Sequence, residues 1–251
     1  MISIQFSVKD DLRRFATSTI SPLYEMAASI HALTLSTPKE HHLAWLKETR
    51  DLLIREQLEE EWLYFAPVFS EVVPDILSLP YIERFVTMEE LFEHLVHLSP
   101  LEFARSVLAA LRQENRRNKE LIYPVELDLK KDPDLVKSRL TLFVSSYWHI
   151  VFEPQWSDIV PRLSREVETI NACLHSNRLG DYLSSISSQM EYDEVSRSIL
   201  IADVEEVSAS NPIRSIVLHP SWFASKPVEF SKQQNKIHII YRISPLDADC
   251  E

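Results

Sequence analysis

Glycine is nearly missing: Gly180 is the single one in a chain of 251 residues. Ordinary usage of about 7% would supply roughly 17 or 18. Glycine gives backbone access to positive φ and lets it approach a phosphate closely. Its scarcity excludes the P-loop and the dinucleotide fingerprint, since each needs at least two glycines at fixed spacing. The G-x-S-x-G nucleophile elbow is excluded for the same reason. Cysteine is also scarce. Cys173 and Cys250 stand far apart and match no zinc or redox spacing, so a reducing, cytoplasmic setting is expected. No run approaches the roughly 18 apolar residues of a membrane span, and Met1–Val8 lacks the pattern of a signal peptide. Basic charge is in deficit, with 26 Lys and Arg against 38 Asp and Glu, a formal net charge of −12. Such a balance repels nucleic acid, whose affinity for proteins is dominated by phosphate neutralisation.

The chain does carry helix punctuation. Its 14 prolines stand mostly at expected helix starts and loop exits. Ser21-Pro22 opens a helix with the stripe Leu23, Met26, Ala27, Ile30 and Leu33. Thr37-Pro38 should open a long one reaching about Phe65, with Leu43, Leu46, Leu53 and Leu58 toward the core. Pro67 to Pro80 reads as short helical turns. Thr87 with Glu90 and Ser99 with Glu102 match the capping box, in which each residue satisfies the other's backbone N–H. The second should start a helix running to about Ile122. Asp132-Pro133 and Glu153-Pro154 open two more, ending near Trp148 and Ser176. Strands are expected at Ile2–Val8, where apolar and polar residues alternate, and in Ser198–Val204, Ile213–Leu218 and Lys236–Ile243. The expected fold is α+β, predominantly α: a multi-helix array, then a small C-terminal β-sheet that the N-terminal strand joins. One regulatory domain over 1–251 is expected, mainly helical to 180 and mainly β from 181. Gly180, after Asn177-Arg178-Leu179, would end a helix in a left-handed cap and serve as a hinge between the two parts.

Several runs in this order resemble a known family. They are ISIQFSVKDDLRRF followed by Ser21-Pro22-Leu23-Tyr24-Glu25-Met26, then Phe152-Glu153-Pro154-Gln155-Trp156 continuing through Val160, Pro161 and Leu163. Near the C-terminus come Val217-Leu218-His219-Pro220-Ser221-Trp222-Phe223 and Ile240-Tyr241. Together they resemble the N-terminal region of a group of bacterial transcriptional regulators that end in an ArsR-type winged helix. The resemblance implies a sensing and dimerisation region, a homodimer, a small-molecule effector, and promoter DNA reached only through the C-terminal domain. The sequence departs from that pattern at Asp247–Glu251, where a winged helix would begin. No cofactor, no membrane partner and no enzymatic activity are implied.

Three constellations are candidates for chemistry. Tyr147, Trp148, His149, Phe152 and Trp156 combine aromatic surface with polar atoms, as small-molecule pockets do; the same spacing also suits ordinary core. Glu93, His94 and His97, with Glu90, lie three and four apart on one helix, where they could reach a metal. Further ligands would have to come from His41, His42 or the Glu59-Glu60-Glu61 run, and the alternative is a solvated helix face. This set carries the second expectation, a helical metal- or small-molecule-binding protein or enzyme. Finally, Leu98-Ser99-Pro100 precedes a helix bearing Arg105, Arg112, Arg116, Arg117 and Lys119. Recognition helices present their N-terminal residues to bases, and here those are Leu101, Glu102, Phe103 and Ala104. No DNA-binding residue is therefore expected in this chain.

Overall fold

The computed structural model describes residues 2–5, 15–115, 122–176, 178–187, 190–193, 198–201, 215–233 and 235–243. Several expectations lie outside them: Phe6–Val8 of the first strand, Arg116, Arg117 and Lys119, Ala202–Val204, Ile213, Cys250 and the Asp247–Glu251 tail. The fold is α+β and predominantly helical. The chain divides into two compact units, one formed by Pro22–Ser157 and the other by Met1–Ser21 with Asp158–Glu251. The change from helices to strands near Gly180 falls inside the second of these.

The helical unit is built around α1 (Pro22–Thr34). Every residue from Leu23 to Leu33 is buried, so the helix is covered on all sides rather than along its expected stripe. Small residues make this possible: Ala27, Ala28, Ser29 and Ala32 fill the faces between Leu23, Met26, Ile30 and Leu33. Burying each of the larger side chains is worth about 1.5–3 kcal/mol. Several of the polar atoms that go in with them find partners. Ser29 donates to the Met26 carbonyl at 2.7 Å and meets the Tyr147 hydroxyl at 2.8 Å, and the His31 ring bonds the Phe69 carbonyl.

The long helix expected from Pro38 to Phe65 is instead three pieces: a 3₁₀ turn at Glu40–His42, α2 (Leu43–Arg55) and α3 (Glu59–Phe69). The break is at Gln57, whose φ is +59°. Leu58 N–H reaches back to the Leu53 carbonyl at 2.8 Å, the six-to-one bond of a Schellman end. Leu46 and Leu53 face the core as expected, but Leu43 is 51% exposed.

A 3₁₀ turn at Asp75–Leu77 and the short α4 (Leu79–Ile82) follow, then α5 (Met88–His97), α6 (Pro100–Asn115), α7 (Pro124–Lys131) and α8 (Pro133–Tyr147). The Thr87–Glu90 capping box is formed in both directions. Ser99 Oγ accepts from Glu102 N–H at 3.2 Å, and Asp132 caps α8 through Leu135 N–H at 3.0 Å. Helix α8 packs against α3, α5, α6 and α7, burying Phe143 and Tyr147 beside Phe65. Lys137 on α8 is only 8% exposed. Its ammonium donates to the Leu98 and Val96 carbonyls at 2.8 and 3.2 Å, closing the C-terminal end of α5. Residues Trp148–Phe152 form a π turn that runs directly into α9 (Glu153–His175). Pro154 has no N–H to give to the preceding turn, and the wider π register falls just ahead of it.

The other unit takes most of α9, then α10 (Leu179–Ile186) and two sheets. The first sheet is antiparallel, with order β1 (Ile2–Gln5), β4 (Ser198–Ile201), β3 (Met190–Asp193), so the N-terminal strand does join a C-terminal one. The second has order β2 (Ala16–Ser18), β5 (Ser215–Ser221), β7 (Lys236–Arg242), β6 (Val228–Gln233). β2, β5 and β7 are parallel, and β7, after the turn at Asn235, runs antiparallel to β6. One sheet was expected from the sequence; among the described residues the strands form two.

Gly180 is not a left-handed cap. It lies inside α10, buried, and has no positive φ. A Cβ built on it would stand 2.3 Å from Tyr192 Cδ1 and 2.9 Å from Tyr192 Cβ. The glycine is needed because α10 packs its first turn against β3, where any side chain at 180 would overlap the tyrosine.

Candidate ligand-binding site

The five aromatic-segment candidates sit on the end of α8, the π turn and the start of α9, and three of them stack on one another. Tyr147 and Phe152 are 0% and 2% exposed, and Tyr147 is tied to Ser29. Burial raises its phenol pKa. Trp148, Phe152 and Trp156 form a ladder with ring centroids 5.4 and 5.5 Å apart. His149 points outward and pairs with Glu153 at 3.0 Å. The segment serves as core and as a helix surface, and it lines no part of the cavity described below.

The Glu93, His94 and His97 set is dispersed. His94 Nε2 lies 2.8 Å from the Tyr81 hydroxyl and 3.1 Å from Arg84. Burial and the Arg84 charge lower its pKa. The His97 ring bonds the Glu93 carbonyl of its own helix. Glu61, from the run offered as a further ligand source, is engaged by Arg139 at 2.9 Å. No group of three His, Cys, Asp or Glu side chains able to hold a metal occurs among the described residues. On α6, Leu101 and Glu102 face solvent at the N-terminal end while Phe103 is buried.

The helical unit contains a cavity of about 660 Å³ elsewhere. It opens where the end of α1, the following loop, α2 and α3 meet, with Tyr123 ahead of α7 closing one side. The break at Gln57 helps to create it, since two helices turned by a left-handed residue bring Arg50 and Trp62 to the same space. Leu33, Leu35, Leu63, Ala66 and Pro67 supply apolar wall. Pro67, inside α3, leaves the Leu63 carbonyl without its usual helical donor. Thr34, Ser36 and Ser70 add hydroxyls. Those of Thr34 and Ser70 donate to backbone carbonyls of the chain, at 2.7 Å to His31 and 2.9 Å to Pro67.

One buried donor in this wall is left over, and beside it stands an exposed cation with N–H groups to spare. Trp62 Nε1–H is buried and has no hydrogen-bond partner among the described residues. Arg50 gives one N–H to the Leu33 carbonyl at 3.2 Å, and its guanidinium stands 6.0 Å from the centre of the Trp62 ring. The volume and the mix of apolar wall with few polar groups match small-molecule sites, which span about 300–1,000 Å³.

None of Trp62, Arg50, Thr34, Ser36, Ser70 and Tyr123 is among the candidates that the sequence offered. These residues are far apart in the chain and share no motif.

No family model matches the chain, and no curated protein or solved structure matches it either. No helix among the described residues is long and apolar enough to cross a membrane.

Proposed function

We propose that this chain is the effector-sensing and dimerisation region of a bacterial, cytoplasmic ArsR-like transcriptional regulator. In this reading a small molecule occupies the cavity of the helical unit. The sheet-bearing unit serves assembly and output, and promoter DNA is read by a winged helix outside these residues. The single observation that carries the sensing role is the 660 Å³ cavity with its two unspent donors, Arg50 and Trp62. The sequence runs quoted above support the family, and the net charge of −12 supports placing DNA contact elsewhere.

Two measurements on the purified chain test this. Sedimentation at micromolar concentration should give a dimer, and a gel-shift assay at low salt should give no DNA complex. A monomer would remove the dimerisation role, and salt-sensitive DNA binding would move the DNA contact into this chain.

A further inference from the structure

Arg50 and Trp62 also indicate what the cavity is for, if the sensing role proposed above holds. Acidic residues occupy 38 of 251 positions, roughly one in seven, yet none of the twelve residues lining this space is acidic. Among the described residues the one charged group there is cationic. Among the described residues Arg50 has no carboxylate partner; its contacts are the Leu33 carbonyl and the Trp62 ring. Arg50 is an exposed residue, and among the described residues it is the one charged side chain that lines this space.

The second donor points the same way. An indole nitrogen can only donate, and a buried donor without a partner costs about 1–3 kcal/mol. A ligand acceptor reaching Trp62 Nε1 would relieve that cost. Arg50 retains four further N–H bonds beyond the one given to Leu33, since a guanidinium has five. An acceptor group seated between the two would take charge-assisted bonds from the guanidinium and a neutral one from the indole.

Apolar wall surrounds this donor pair, so the ligand carries its charge at one end of an apolar body. A phosphate monoester, near two negative charges at neutral pH, would meet a single cation here. We infer that the cavity binds a monoanionic carboxylic acid with an aryl or alkyl body, its carboxylate held by Arg50 and Trp62 Nε1.

The test is calorimetric titration of the full chain with two matched pairs, naphthalene-2-acetate with its amide and octanoate with octanamide. At least one acid should bind about tenfold or more tightly than its amide, which is what one charge-assisted bond is worth. Arg50→Gln should remove that preference and leave the amide's affinity unchanged, and Trp62→Phe should weaken the acid. Ala66→Trp, which fills the cavity, should abolish binding of both members, with thermal melting confirming that each variant is folded. Acid and amide binding equally to the wild type, but not to Ala66→Trp, would overturn the carboxylate assignment and leave the cavity as a neutral-ligand site. No binding of either pair, or binding untouched by Ala66→Trp, would overturn the sensing role of the cavity itself.

Discussion

At the scale of single residues, the chain spends its one glycine on packing and places a glutamine where glycine is usually found. Gly180 sits in α10 against Tyr192 with no positive φ, while Gln57 alone among the described residues has φ in the left-handed region. A side chain there costs about 1–2 kcal/mol relative to the right-handed conformation. Glycine escapes that cost but loses more entropy on folding. Gln57→Gly is expected to stabilise the helical unit by about 0.5–1 kcal/mol net. Urea unfolding of the two proteins measures this directly, and unchanged or lower stability would mean that Gln57 makes compensating contacts. The same residue sets the mutual placement of Arg50 and Trp62, so the variant should keep the ligand preferences of the wild type.

At the scale of elements, helix ends are where the structure's polar bookkeeping is most exposed. The last carbonyls of α5 have no partners within their own helix, and Lys137 from α8 supplies them. Its ammonium is nearly buried, with Asp134 at 3.3 Å as the nearby acid. Lys137→Met keeps most of the volume and removes the donors. The expected loss is about 1–3 kcal/mol, with hydrogen exchange accelerated in α5 before the rest of the unit. A loss spread evenly over the unit would argue that the lysine acts through packing alone. Local chemistry of this kind explains what was legible in the sequence. Thr87, Ser99 and Asp132 each announced a helix start because the cap and its target lie three residues apart. The termination at Gln57 was hidden because no glycine, asparagine or proline marks it. The two-sheet arrangement was hidden because strand pairing is long-range: β2 lies beside β5 across some 200 residues. The cavity was illegible for the same reason, being assembled from α1, α2, α3 and the approach to α7 with no shared spacing.

At the scale of the whole molecule, charge and burial act against each other as pH falls. Lowering the pH from 7 toward the sequence pI of about 5.3 relieves repulsion among excess carboxylates, which favours compact states. The sheet-bearing unit holds an opposing group. His219 on β5 and His238 on β7 share one face of the sheet, 2% and 0% exposed, with their ring nitrogens 3.1 Å apart. Lys236 lies on that face too, as do Ser231 and Glu229 of β6 by register. Burial first, then the His238 and Lys236 charges, push the His219 pKa down to about 3. Its Nδ1 is buried without a hydrogen-bond partner among the described residues, so an added proton would find no acceptor among them. An unfolded histidine takes up its proton near pH 6.5. Between about pH 6.5 and 3 the unfolded chain therefore binds more protons at this site than the folded one. Stability conferred by neutral His219 is complete above that window and declines as pH falls through it, by up to about 1.4 kcal/mol per pH unit. His219→Phe removes the titrating group and keeps an aromatic ring in the sheet. Subtracting its stability–pH curve from that of the wild type, both from chemical unfolding at pH 7.5 to 4, isolates the histidine from the general carboxylate effect. The difference should be flat above pH 6.5 and should then fall steadily. A difference that stays flat to pH 4 would show that the sheet accommodates the imidazolium, with His238 as its acceptor.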